Sequence, residues 1–237
     1  MDTYLTLLSF GDQGWGDEIA IGVVTTISLA LATLPVGLLI GFLIALAKQS
    51  REWSFRTAAD IYTTIFRGLP ELLTLFLVYF GLQIGIQQVF KGLGVDAGVE
   101  INAFLAGVIA LAFVFSAYAS EVFLSAFRAI SHGQYEGGYA LGLHRNQVMR
   151  LVILPQLIRI ALPGLSNLWM ILLKDTALVS AIGLTDILRQ TGIAARNTKE
   201  AFLFFGLAAL LYLVLALLSS VVIGRVETAG KRGETAR

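Results

Sequence analysis

The chain has 237 residues, of which 57% are hydrophobic and 14% charged, with a formal net charge of +1 and no cysteine. Soluble domains average about 25% charged residues, so this composition excludes a soluble globular protein and indicates an integral membrane protein. The small net charge gives no support to nucleic-acid binding, and the lack of cysteine excludes disulfides and thiol chemistry.

The first predicted membrane crossing follows a short N-terminal segment. Residues 1–18 carry acidic side chains and no positively charged stretch, so they lack the pattern of a cleaved signal peptide. Residues 19–47 contain no ionisable side chain and exceed the roughly 20 residues that a spanning helix needs. Within this span Gly37 and Gly41 have the G-x-x-x-G spacing, which predicts close helix packing within the chain or between chains.

The second and third predicted spans contain or adjoin charged residues. The second covers residues 70–90, and Arg67 and Glu71 are expected to form an ion pair at its inner end. The third covers residues 101–127 and carries Glu121 deep within it. An ionisable residue at membrane depth faces protein or water rather than lipid. Glu121 therefore either lines a translocation path or pairs with another residue of the helix bundle.

A polar connection over residues 128–155 follows the third span. Residues 135–141 could form a short helix, but two internal glycines each cost about 1 kcal/mol relative to alanine. Gly142 is well placed to end this helix. A helix so short is marginal alone and needs packing against a partner. The alternative is an ordinary connection between two spans, and these residues by themselves leave both interpretations open.

Two further spans, over residues 156–175 and 201–224, bring the predicted number to five, and residues 225–237 form a tail. An odd number of spans places the two termini on opposite sides of the membrane. With the C-terminus inside, 12 of the 17 lysines and arginines lie on the cytoplasmic side, as the positive-inside rule favours. We therefore expect a periplasmic N-terminal segment over residues 1–18 and a cytoplasmic connection over residues 128–155.

The spacing within this connection resembles a known motif, the cytoplasmic EAA loop of ABC importer permeases. The family pattern is Glu-Ala-Ala, three residues, Gly, nine residues, then Ile-x-Leu-Pro. Here glycines replace both alanines and valine replaces isoleucine, which weakens the short helix but preserves small size and branching. The matching positions are Glu136, Gly137, Gly138, Gly142, Val152, Leu154 and Pro155.

Three more stretches are similar to permeases for polar amino acids, the type that includes histidine, arginine and opine importers. They are FRGLPELLTLFLVYFGLQ at 66–83, AYASEVFLSAF at 117–127 and LLKDTALVSAIGLTDIL at 172–188. The resemblance thus extends over about residues 19–224. Leu124 departs from it, because many relatives have an arginine there, and any polar contact of that arginine is absent from this chain.

The resemblance implies an all-α integral membrane protein with about five transmembrane helices in the type I ABC importer permease arrangement, located in the bacterial inner membrane. It implies a permease subunit that forms the translocation path for polar, chiefly basic, amino acids or opines. The implied partners are two ABC ATPase subunits, a second permease that is homologous or identical, and a periplasmic substrate-binding protein. The sequence has no G-x-x-x-x-G-K-[ST] motif. We therefore expect no catalytic role and no bound cofactor, with ATP and magnesium used by the partner ATPase.

The resemblance also implies candidate site residues. Coupling to the ATPase would fall on Glu136, Gly137, Gly138, Gly142, Val152, Leu154 and Pro155. The candidates for the substrate path are Glu121, Asp175 and Thr176, the last two at a break near the outer end of the fourth span. Asp175 could meet a cationic substrate or serve only the helix terminus.

Other polar residues have plainer interpretations. Arg145 and Arg150 could contact the ATPase, but anchoring of the connection at the membrane surface is the favoured reading. No metal site is expected, because His132 and His144 have no third ligand nearby in the sequence.

Two other classes of protein fit the hydropathy. A secondary transporter would show inverted repeats with broken helices, which five spans do not convincingly display. A membrane enzyme would need clustered Ser, His and Asp residues or metal ligands at membrane depth, whereas both histidines fall in the polar connection.

Overall fold

The structure is a computed structural model that describes residues 2–11, 14–94 and 101–231. These ranges contain helices and no strand. Residues 1, 12–13, 95–100 and 232–237, which include parts of the predicted N-terminal segment and tail, lie outside the described residues. The helices are α1 (Asp2–Leu7), α2 (Gly16–Lys48), α3 (Trp53–Gly68), α4 (Glu71–Gly92), α5 (Ala103–Ala129), α6 (His132–Ala140), α7 (Arg145–Gln147), α8 (Leu154–Asp175), α9 (Ile187–Thr198) and α10 (Ala201–Lys231).

Five helical segments of the described chain are long and apolar enough to cross a membrane, which confirms the predicted all-α membrane fold. They are Gly16–Lys48, Glu71–Gly92, Ala103–Ala129, Arg145–Ile182 and Ala201–Thr228. The third of them, α5, is the most buried within the protein and packs against α2, α3, α4 and α8. The bundle is therefore built around α5, while the other four spans turn more of their surface outward.

The glycine pair of the first span lies in the contact between α2 and α5. A Cβ atom on Gly41 would lie 2.9 Å from the Ala119 Cβ and 3.0 Å from the Ser116 carbonyl oxygen. A Cβ atom on Gly37 would lie 2.5 Å from the Phe115 ring. The small residues let two helix backbones approach closely. The spacing therefore serves packing within this chain, one of the two options that the sequence left open.

The segment between the first two predicted spans contains the helix α3, which the sequence did not indicate. Helix α3 carries charged residues at several positions, so no uncharged window marks it. Its Tyr62 hydroxyl donates to the Phe113 carbonyl at 3.1 Å and lies 2.8 Å from the Ser116 Oγ. The Phe66 ring packs 5.3 Å from the Phe113 ring. These contacts place the second half of α3 against the middle of α5.

A break between α3 and α4 lies at the same level. Leu69 and Pro70 have extended backbones, with ψ angles of 144° and 135°. Beyond the break, the Gln83 side chain accepts a hydrogen bond of 2.9 Å from the Ile101 amide, just before α5 begins. Twelve residues of helix rise about 18 Å, so α4 begins about level with the middle of α5. Helix α3 thus lies beside the half of α5 nearer α6, and the break separates it from α4, which is long and apolar enough to cross by itself.

The fourth crossing is one long irregular helix. It continues from α7 through a π-helical turn at Val148–Ile153, along α8, and into a 3-10 helix at Thr176–Ile182. Pro155 is the second residue of α8, two residues after the π turn ends, and Pro163 lies inside α8. Proline removes an amide donor from a helix, and π turns are among the distortions that accompany such positions. The predicted span over residues 156–175 therefore covers only part of this helical segment, which extends over Arg145–Ile182.

Helix α9 lies at the end of the bundle opposite α6. The sequence did not indicate this helix. Asp186 caps it, accepting hydrogen bonds from the Arg189 amide at 2.9 Å and from the Tyr212 hydroxyl at 3.3 Å. The Ile187 amide donates to the Thr26 hydroxyl at 3.3 Å. Burial raises the pKa of the Asp186 carboxyl to about 6, although its hydrogen bonds act in the opposite direction. This buried polar contact joins α9 to α2 and α10.

Candidate functional site

The polar connection contains the short helix that the sequence suggested. Helix α6 is followed by Gly142, whose φ of +76° lies in the left-handed region. The Gly142 amide donates to the Tyr139 carbonyl at 2.9 Å, and the Leu143 amide donates to the Gly138 carbonyl at 3.2 Å. A residue with a side chain is strained in this conformation. The expected helix end at Gly142 is therefore confirmed.

The two glycines inside α6 have different surroundings. Gly138 is buried, and a Cβ atom there would lie 2.8 Å from Val148 Cγ2 on the π-helical turn. A Cβ atom on Gly137 would meet nothing within 4 Å. Gly138 thus lets α6 pack closely against the start of the fourth crossing. Gly137 has no packing partner of this kind within the described chain.

One face of this loop is exposed and partly apolar. Leu141 is 82% exposed and Tyr139 is 48% exposed. Glu136 is also exposed and has no hydrogen-bond or ion-pair partner among the described residues. Leu141 and Tyr139 were not singled out from the sequence, because nothing in the pattern distinguishes an exposed leucine from a buried one. We call Glu136, Tyr139 and Leu141 the loop surface.

The far end of the motif lies where the loop joins the bundle. Val152 and Leu154 are half-buried and Pro155 is exposed, while Ile153 between them is fully buried. The Gln156 amide nitrogen lies 3.0 Å from the Gln134 Oε1 and 2.8 Å from the Val152 carbonyl oxygen. This side-chain bridge ties α6 to the start of α8. Arg145 and Arg150 are both exposed.

Glu121 belongs to a cluster of four charged residues that joins α2, α3 and α5. Lys48 Nζ lies 2.6 Å from Glu121 Oε1 and 3.2 Å from Asp60 Oδ1, and Arg67 Nη1 lies 3.3 Å from Glu121 Oε1. The Lys48 ammonium also donates to the Thr63 hydroxyl at 2.8 Å. We call Lys48, Asp60, Arg67 and Glu121 the ionic cluster.

The ionic cluster corrects one expectation and bears on another. The prediction that Arg67 pairs with Glu71 is wrong, because among the described residues Arg67 pairs with Glu121 instead. Glu121 pairs within the helix bundle, as one of its two proposed roles requires. It nevertheless also borders open space, so the pairing does not remove it from a transport path.

That open space belongs to a seam between α5 and α8. Toward α6 the seam forms a groove of about 380 Å³, lined by Glu121, Val122, Ser125, Ala126, Ile160 and Gly164. Farther along the same two helices is a pocket of about 20 Å³, whose lining includes Leu111, Val114, Tyr118, Leu168, Ile171 and Asp175. We call these the Glu121 groove and the Asp175 pocket. The groove has room for an amino acid, whereas the pocket has room only for about one water molecule.

The other two candidates for the path differ in accessibility. Asp175 is half-buried at the end of α8 and lines the pocket, and both Glu71 and Lys174 interact with it electrostatically. Thr176 is fully buried, and its hydroxyl donates to the Leu173 carbonyl at 2.7 Å. Asp175 is therefore placed to meet a molecule in the seam, while Thr176 could do so only after the helix moves.

Comparisons with known proteins agree on one family. Residues 37–229 match the family described as the binding-protein-dependent transport system inner membrane component. The chain is 40% identical to the nopaline transport system permease protein NocQ of Agrobacterium fabrum over 230 residues, which cover 97% of this chain and 98% of that protein. It is 38% identical to the histidine/lysine/arginine/ornithine transport system permease protein HisQ of Salmonella typhimurium over 214 residues, covering 90% and 93% of the two chains.

A solved structure is similar along almost the whole chain. The crystal structure of an amino acid ABC transporter with histidines matches with a TM-score of 0.77 at 33% identity, covering 91% of this chain and 95% of that one. An inward-facing structure of the MetNI methionine ABC transporter matches with a TM-score of 0.64 at 18% identity. At 18% identity, the second match shows only that the two folds are similar.

Proposed function

Because the chain belongs to the family of inner membrane components of binding-protein-dependent transport systems, we propose that it is the permease subunit of an ATP-driven importer for polar, chiefly cationic, amino acids or opines. The single observation that carries the substrate class is the position of the acidic residue Asp175 at the seam between α5 and α8, with Glu71 nearby. A carboxylate at membrane depth attracts a cationic group. The names of the relatives, which include opine and basic amino acid systems, agree with this class.

In this proposal, energy reaches the bundle through the loop surface. Glu136, Tyr139 and Leu141 form an exposed, partly apolar surface of the kind that binds another protein. Two separate ATPase subunits would dock there and use ATP and magnesium, because this chain has no Walker A motif. Gly138 and the Gln134–Gln156 bridge would pass the movement of α6 to α8.

The remaining parts of the assembly follow from the same proposal. A second permease, identical or homologous, would face this chain across the path, and a periplasmic binding protein would deliver the substrate. The N-terminus would be periplasmic and the loop with α6 cytoplasmic, as the positive-inside rule favours. The rival reading, a secondary transporter, is not favoured by the family match.

Reconstitution tests the proposed function directly. The complex co-purified with this chain from native membranes should take up radiolabelled amino acid into proteoliposomes only when ATP, magnesium and the binding protein are supplied. The chain reconstituted alone should transport nothing under an ion gradient. Uptake by the isolated chain along a sodium or proton gradient would instead identify a secondary transporter.

Asp175 provides the test of the substrate class. In the complete transporter, Asp175→Asn should lower the ratio of arginine to citrulline uptake by about tenfold, because loss of about 1.4 kcal/mol of charge attraction corresponds to that factor. Citrulline is the matched probe, since it replaces the guanidinium with a neutral group of similar shape. Asp175→Glu is the control and should restore most of the ratio. An unchanged ratio in Asp175→Asn would remove this residue from substrate recognition.

A further inference from the structure

Arg67 binds two groups of α5 in a way that an arginine ligand would. Its guanidinium carbon lies 5.6 Å from the centre of the Tyr118 ring, within range of a cation–π contact. Its Nη1 lies 3.3 Å from Glu121 Oε1. An aromatic face beside a carboxylate is a favourable environment for a guanidinium or ammonium group. The chain thus fills a cation site with its own side chain.

This cation site lies at a junction in the seam between α5 and α8. Tyr118 lines the Asp175 pocket, and Glu121, three residues farther along α5, lines the Glu121 groove. Residues three apart lie on the same face of a helix. A molecule that moves along the seam from Asp175 to the Glu121 groove would therefore pass Tyr118 and Glu121, where Arg67 is bound in this structure.

Arg67 can leave this site without leaving a buried charge unpaired. The Arg67 side chain is 44% exposed, whereas the Lys48 side chain is only 8% exposed. Lys48 is also closer to Glu121, at 2.6 Å, and would keep this carboxylate paired when Arg67 moves away. Lys48 accordingly holds Glu121 in place, and Arg67 is the exchangeable partner.

We propose that Tyr118 and Glu121 form a second substrate site, which binds the cationic side chain of an amino acid as it moves along the seam from Asp175, and that Arg67 occupies this site between transport events. The proposal rests on the proposed function and adds to it a relay of two cation sites along one seam. Arg67 acts as a competitor within the chain. Occupancy of the site by Arg67 for about 90% of the time would weaken binding of a cationic ligand there about tenfold.

Removal of the competitor tests the proposal. In the complete transporter, held without ATP, Arg67→Met keeps a flexible, unbranched apolar stem but removes the charge. We expect this variant to bind arginine about tenfold more tightly than the wild type and to bind citrulline with unchanged affinity. Adding Tyr118→Leu should reverse most of the gain. The measurement is equilibrium binding of radiolabelled arginine and citrulline to the purified complex.

Two outcomes would overturn the proposal. Arginine affinity that stays the same or falls in Arg67→Met would show that Arg67 does not compete with the ligand, and equal gains for arginine and citrulline would show that charge is not recognised. Tyr118→Leu in the wild-type background gives a second measurement that leaves every ion pair intact. It should lower the ratio of arginine to citrulline uptake by about fivefold, as expected for a cation–π contact, and an unchanged ratio counts against the site.

These results are separable from the proposed function. If the wild-type complex shows ATP-dependent uptake but the Tyr118 and Arg67 variants show unaltered charge selectivity, only the second substrate site is contradicted. If the wild-type complex shows no ATP-dependent uptake, the proposed function itself is contradicted.

Discussion

The Gly138→Ala variant is expected to hydrolyse ATP in the complete transporter while its transport falls about tenfold. The added Cβ would lie 2.8 Å from Val148 Cγ2, which is shorter than the contacts that Cβ atoms make in protein structures. Either α6 or the π-helical turn must therefore move, and overpacking of this kind typically costs about 1 to 3 kcal/mol. Because α6 carries the loop surface, its displacement should separate ATP hydrolysis from movement of α8. The measurements are ATPase activity and substrate uptake by the same proteoliposomes.

Two matched variants control this experiment. Gly137→Ala places the same methyl group in open space one residue earlier, so it should leave coupling intact and stabilise α6 slightly. Val148→Ala added to Gly138→Ala removes the atoms in conflict and should recover most of the transport. If Gly137→Ala and Gly138→Ala impaired coupling equally, the packing of α6 on the fourth crossing would not be the coupling contact.

The second large effect is expected in the Glu121→Leu variant, whose free energy of unfolding should fall by about 3 kcal/mol. This substitution would leave the ammonium of Lys48, whose side chain is only 8% exposed, paired with Asp60 alone. Removal of one partner from a buried ion pair costs about 3 to 5 kcal/mol because the other charge stays buried. The value here should fall at the lower end, since Asp60 remains 3.2 Å away. The measurement is the free energy of unfolding of the purified chain in mixed detergent micelles.

A double variant and an exposed member of the ionic cluster complete the test. Lys48→Met combined with Glu121→Leu removes both charges and should recover most of the loss, because the charges left without a partner, on Asp60 and Arg67, are 66% and 44% exposed rather than buried. Asp60→Asn should cost less than about 1 kcal/mol, since the Asp60 side chain is 66% exposed. Equal losses in Asp60→Asn and Glu121→Leu would contradict the view that burial of Lys48 decides the energetics.

The family motifs and the hydropathy predicted much of this protein. Each membrane crossing must satisfy its own backbone hydrogen bonds and present apolar side chains to lipid. Both requirements are local, so uncharged windows of spanning length indicated four of the five crossings, and a shorter apolar stretch indicated the other. The end of α6 at Gly142 is local as well, because the left-handed conformation favours glycine whatever surrounds it. Helices α3 and α9 carry charges at intervals and gave no such window, so both were missed.

The candidate site depended on contacts between residues far apart in the sequence. Arg67 and Glu71 are four residues apart, yet Arg67 pairs with Glu121, because the break at Leu69 and Pro70 separates two helices. Gly137 and Gly138 are equivalent in the motif, and only the position of Val148 distinguishes them.

The sequence by itself thus determined the number of candidate crossings and the family. These follow from the transfer of single helices into lipid and from a motif of fixed spacing. The tertiary structure decided which charges pair, which glycine permits close packing, and where α5 and α8 leave a seam between Glu121 and Asp175. Those features depend on distances between separate helices, which side-chain packing in the assembled bundle sets.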